Sequence, residues 1–102
     1  MYAVVRKVFY DPNKLAHAEN QIQEFDAIHA AQPGYRGNLV VDAGEGRMVV
    51  VNLWQSEEAA KAALDVMVPV VQRLTEPLMT GPAELVGVGQ VVRQDLPPAR
   101  AA

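Results

Sequence analysis

The side chains in this sequence that could do chemistry are Arg6, His29, Asn52 and Trp54. Asn52 and Trp54 stand two residues apart in a valine-rich run, so in an extended strand both project from the same face. A buried amide must find hydrogen-bond partners. For Asn52 these could be a neighbouring side chain or backbone group, or the carbonyl or developing enolate oxygen of a substrate. Trp54, the only tryptophan, could bury as a bulky core plug or offer a flat wall to a planar aromatic ligand, and the two roles are compatible. His29 changes charge near neutral pH and could serve as general base toward an activated phenol. In the last turn of a helix it could equally meet unpaired carbonyls as a cation. Asp26, three residues earlier, could orient its ring. Arg6 interrupts an apolar strand and could receive a ligand carboxylate or pair with an acidic neighbour.

Other chemistries are excluded. The chain has no cysteine, so thiolate nucleophiles, disulfides and cysteine-ligated metals or clusters are out. Its two histidines fall on different faces of one predicted helix with no carboxylate at suitable spacing, a poor metal site; no cofactor is expected. Gly87 and Gly89 lie inside a predicted strand and form no phosphate cradle; they leave one face bare, with room for a ligand or a close backbone approach. The formal charge is −3, from nine basic and twelve acidic residues spread along the chain. Without a cationic stripe the chain is no general nucleic-acid binder. No apolar run approaches the ~20 residues of a membrane span. The N-terminal run, with Arg6 and Lys7 inside it, does not read as a signal peptide. A cytoplasmic protein is expected.

Positioning these residues requires a fold. The 102 residues, half of them apolar and 21% charged, fit one globular domain. Tyr2–Tyr10 reads as a strand, and Asp11-Pro12 as a helix start. The predicted first helix runs from about Pro12 to Gln32, with Leu15, Ala18, Ile22, Phe25 and His29 on one face, and Pro33-Gly34 ends it. Strands over Tyr35–Asp42 and Arg47–Gln55 flank a tight turn whose two glycines supply positive φ. Ser56 caps a second helix, with Glu57 and Glu58 favourable to its dipole. Its stripe is Ala60, Leu64, Met67, Val71, Leu74 and Leu78. Pro69 inside that stripe predicts a kink or short break near Val68. Ala83–Arg93 is the last strand. Residues 1–93 form the domain, and 94–102 a loosely held tail.

The order strand–helix–strand–strand–helix–strand gives an α+β, ferredoxin-like split βαβ sandwich: a four-stranded antiparallel sheet with the first and third strands central. In the third strand Val49, Val51 and Leu53 point one way while Met48, Val50 and Trp54 point the other, so both faces want burial. Two helices cover only one. A second copy of the chain is the economical cover for the other, giving a homodimer.

Pro33-Gly34-Tyr35, the segment Trp54-Gln55-Ser56-Glu57-Glu58-Ala59, and Gly81-Pro82 before the last strand carry a further likeness. With the element order, they make residues 2–93 resemble the antibiotic-biosynthesis-monooxygenase-like family of dimeric α/β barrels. The resemblance implies a cofactor-independent monooxygenase acting on a quinol- or anthrone-like aromatic, in a cleft between sheet and helices bordered by Trp54. Asn52, Trp54 and His29 are then the expected catalytic residues, with Arg6, Phe25 and Met67 in the ligand pocket. A non-catalytic dimeric binder of the same fold is the alternative. Family members often carry a histidine early in the second helix, where this chain has Lys61-Ala62-Ala63. Haem degraders carry an asparagine on the first strand, which this chain lacks. These departures weigh against haem degradation.

Overall fold

The computed structural model describes residues 1–96; the part of the expected tail from Pro97 onward lies outside the described residues. The elements in chain order are β1 (Tyr2–Phe9), α1 (Pro12–Leu15), α2 (Glu19–Ala30), β2 (Tyr35–Gly44), β3 (Arg47–Trp54), α3 (Glu57–Leu74), a 3₁₀ turn at Glu76–Leu78, and β4 (Glu84–Gln90). The sheet order is β2-β3-β1-β4 with every neighbour antiparallel, so β1 and β3 are central as the split βαβ topology requires.

Local chemistry explains the boundaries. Asp11 caps α1 by accepting from the N–H groups of Asn13 and Lys14. The single helix expected over Pro12–Gln32 is divided here. The N–H groups of His17 and Ala18 bond three residues back, to Lys14 and Leu15, while the His17 ring donates from Nδ1 to the Asn13 carbonyl. That side-chain bond occupies the acceptor that an unbroken helix would offer to the His17 N–H. The first helix therefore tightens, ends, and restarts at Glu19.

The Oγ of Ser56 accepts from the Ala59 N–H, 3.1 Å away, and starts α3 as expected. That helix runs uninterrupted through Pro69, where a break was one expectation. Pro69 is exposed, so the Asp65 carbonyl that loses its helical partner on this face has water available. The helix ends at Leu74 instead of reaching Leu78, where the chain tightens into the 3₁₀ turn Glu76–Leu78 that holds Pro77.

Glycine is required at two turns. In the β2–β3 hairpin Gly44 and Gly46 take φ of 90° and 80°. A side chain at Gly46 would collide with the Tyr10 carbonyl, and the Gly46 carbonyl itself accepts from the Tyr10 N–H. Gly34, at φ 82°, ends the α2–β2 connection so close to α3 that a Cβ there would stand 2.6 Å from that of Ala59. The Gly34 carbonyl accepts from the Gln55 N–H at 2.7 Å, tying this turn to the end of β3.

Helices α2 and α3 pack on one sheet face, where Val4, Trp54 and Ala63 form the centre of a small core. The other face carries Val5, Val49, Val51 and Leu53, with Leu39 and Val41 more than half exposed beside them. On β4, Gly87 lies opposite Val5 and Gly89 opposite Ala3, so the same face is bare at that edge. Among the described residues no helix is long and apolar enough to cross a membrane.

Candidate active site

Between the sheet and the helices lies a cavity of about 580 Å³, within the usual size range of small-molecule sites. Its floor is the helix-facing side of β1, β2 and β3: Val4, Arg6 and Val8, then Asn38 and Val40, then Met48, Val50, Asn52 and Trp54. Phe25, Asp26 and His29 of α2 and Met67 of α3 supply its roof. Leu64 and Val68, exposed residues of α3, also border it, so the cavity reaches solvent there. The residues singled out from sequence, Arg6, Phe25, His29, Asn52, Trp54 and Met67, thus all face one space.

One end of this space is aromatic. His29 is buried, and its ring stacks on Phe25 with centroids 5.7 Å apart. It also meets Tyr35 and Trp54 edge-on, each at 5.3 Å. Tyr35 and Trp54 are themselves edge-to-face at 5.9 Å, an arrangement that aromatic quadrupoles favour. Trp54 is at once core plug and cavity wall. It is 4% exposed and packs with Val4 and Ala63, yet it borders the open volume.

Burial pushes the His29 imidazole below its usual 6.5; Asp26 opposes that shift and Arg6 adds to it. The ring is therefore neutral at physiological pH and able to accept a proton. Asp26 acts on it through charge, with no hydrogen bond between them found among the described residues. Burial raises the Asp26 carboxyl while His29 lowers it. Burial and then Asp26 raise the phenols of Tyr10 and Tyr35.

The other feature is a polar relay across the sheet floor. Arg6 Nη1 donates to Asn52 Oδ1 at 3.1 Å, and Asn52 Nδ2 donates to Asn38 Oδ1 at 2.7 Å. Asn52 is 7% exposed and has protein partners at both ends of its amide. Arg6 makes no ion pair among the described residues, and burial lowers the pKa of its guanidinium. Asn38 was not picked out from the sequence. The hairpin would have revealed it, because Asn38 and Asn52 are equidistant from Glu45 and pair across the two strands. His17, on the solvent side, takes no part. Among the described residues no cluster of three His, Asp or Glu side chains is placed to hold a metal ion.

The fold and cavity define a small α+β domain with an aromatic-walled site beneath two helices. The family described as antibiotic biosynthesis monooxygenase matches residues 1–65, and the chain belongs to it. Solved structures share the fold. A protein of unknown function from Nitrosomonas europaea aligns with TM-score 0.75 at 14% identity, covering 96% of this chain and 95% of its own. SnoaB, a cofactor-independent oxygenase from Streptomyces nogalater crystallised as an asparagine-to-alanine variant, aligns with TM-score 0.71 at 23% identity, covering 95% and 97%. The Mycobacterium tuberculosis protein Rv0793 aligns with TM-score 0.69 at 17% identity, covering 91% and 96%. No curated protein matches the chain in sequence.

Proposed function

We propose that this protein is a cofactor-independent monooxygenase acting on an electron-rich aromatic of the quinol or anthrone type, and that it works as a homodimer. The observation that carries the reading is the convergence of a neutral buried imidazole, an aromatic wall and an amide–guanidinium relay on one cavity, in a chain of the antibiotic biosynthesis monooxygenase family. The ligand ring lies against Trp54. His29 takes the proton from the substrate, and Asn52, polarised by Arg6, strengthens the field in which the resulting oxyanion develops. The substrate carbanion passes one electron to molecular oxygen and joins the superoxide formed as a C–O bond. The peroxide takes up the proton held by His29, and loss of water with the remaining C–H proton breaks its O–O bond. One oxygen atom thus stays as a carbonyl, the other leaves as water, and the substrate supplies the electrons. Phe25 and Met67 shape the roof. The dimer covers the bare apolar face of the sheet with a second copy of the same face.

Oxygen uptake with a panel of quinols and anthrones, without added flavin or metal, tests this. Turnover is expected for the native chain. Trp54→Phe should retain part of it, because a flat wall remains. His29→Gln should lower kcat by about a hundredfold or more, the scale of a lost general base. Saturable quenching of Trp54 fluorescence with no oxygen uptake across the panel would replace this reading with that of a non-catalytic binder.

A further inference from the structure

The hydrogen bonds of the relay have a direction, and that direction specifies the ligand. A guanidinium can only donate. The amide atom of Asn52 that meets Arg6 at 3.1 Å is therefore its oxygen, which leaves Nδ2 to face Asn38. The Asn38 atom that receives Nδ2 at 2.7 Å must in turn be an oxygen. Both amide orientations follow from the charge at Arg6. The group left over is the NH₂ of Asn38. It has no protein acceptor among the described residues and is not sealed from solvent, and Asn38 lines the cavity. Arg6 has further N–H donors beyond the one given to Asn52. It carries its charge in a largely apolar cavity with no carboxylate within ion-pair distance among the described residues, although Asp26 and Glu76 border the same space. A desolvated cation without a counter-ion favours an anion beside it.

We infer that Asn38 and Arg6 form an oxyanion subsite on the cavity floor, so that the ligand is a flat aromatic bound through an acceptor-only, negatively charged oxygen. Asn38 is the residue that selects it. The inference rests on the proposed aromatic cavity and adds the ionisation state of its occupant. A phenolate, an enolate and an aromatic carboxylate share the chemistry required. A neutral hydroxyl can also accept from the Asn38 NH₂, but only an anion meets the unpaired charge of Arg6 at the same time.

Binding can be read without turnover, through the fluorescence of Trp54. The probes are a naphthoate, a naphtholate held at alkaline pH, and the matching methylnaphthalene, which has the same ring and no oxygen. The native chain is expected to bind naphthoate about tenfold to a hundredfold more tightly than methylnaphthalene, the range for hydrogen bonds to a charged group. A naphtholate preferred over naphthoate would identify the phenolate or enolate as the source of the oxyanion; the reverse order would identify the carboxylate.

Asn38→Asp is the decisive variant. Its carboxylate still accepts from Asn52, so the relay stays intact, but its free oxygen turns the subsite from donor to negative acceptor. Naphthoate affinity should fall at least to that of methylnaphthalene, while methylnaphthalene affinity stays unchanged. Asn38→Leu, which cannot bond either way, should remove the preference without repelling the anion. Equal affinity of the native chain for naphthoate and methylnaphthalene would overturn the oxyanion subsite and leave the aromatic cavity standing. An equal loss of both probes in Asn38→Asp would also overturn it. No quenching by any probe would overturn the cavity reading and the subsite together.

Discussion

The two faces of the sheet are built from the same three strands, residue by residue in alternation, yet they differ in kind. Beneath the helices, Arg6, Asn38 and Asn52 break an otherwise apolar surface and bond to one another. On the opposite face Val5, Leu39 and Val51 alternate with Arg6, Asn38 and Asn52, and the charged residues there, Lys7 and Arg47, are exposed. Buried polar groups persist only where partners satisfy them. The helix-covered face keeps bonded polar groups and an open volume, whereas the other is aliphatic between its exposed cations Lys7 and Arg47 and is left largely uncovered in a single chain. The proposed ligand site uses the first face and the proposed dimer the second.

The largest effect should come from placing the same charge on either side of β3. Val51→Asp puts a carboxylate on the aliphatic face. It should weaken self-association by about 3–5 kcal/mol, the scale of an unpaired buried charge, and give monomers in sedimentation equilibrium. Val50→Asp, one residue away, enters the cavity instead and should leave the dimer intact whatever it does to ligand affinity. A Val51→Asp protein that still sediments as a dimer would move the interface elsewhere.

A smaller effect is expected at the relay. Asn52→Leu keeps the volume but strips partners from Arg6 and Asn38 together, and should cost about 1–3 kcal/mol in urea denaturation. Pairing it with Arg6→Met should recover part of the loss, because the orphaned guanidinium is gone. Failure of the double variant to recover would assign the loss to packing.

The smallest effect is the pH response of His29. Its folded pKa lies below the usual value, so below about pH 6.5 the unfolded chain binds more protons than the folded one. The stability contributed by the neutral ring is complete above that point and drains away as pH falls through the folded value. The urea midpoint of the native chain should therefore drop between about pH 7 and pH 5 more steeply than that of His29→Phe. The dimer constant should change little over the same range, since no histidine lies on the aliphatic face. Parallel slopes for the two proteins would remove His29 as the source.

Much of the fold was legible because its signals are local. Asp11 and Ser56 cap the helices that follow them, and the glycines of the hairpin have the positive φ that the turn needs. The division between α1 and α2 was not legible. It depends on the His17 ring reaching back to the Asn13 carbonyl, a rotamer choice that periodicity does not encode. Pro69 predicted a kink or short break; the helix is unbroken there because Pro69 faces water, which the stripe alone does not reveal. The cavity residues came from strand alternation and helix spacing, which fix a face. Asn38 required the register between two strands, a longer-range fact, and register is what converts two separate asparagines into a relay.

The glycine at the α2–β2 connection has a consequence for how such a protein diversifies. Gly34 holds the start of α3 against the sheet at the end where Tyr35, Trp54 and His29 meet, so enlargement of residue 34 or 59 is penalised there. Away from that end, where Val8 pairs with Met48, the cavity is also bordered by Val71 and by Met79, an adaptable thioether side chain. Under the proposed reading, exchange of Val71 or Met79 would change the room at that distal end and leave the cluster of Tyr35, Trp54 and His29 untouched.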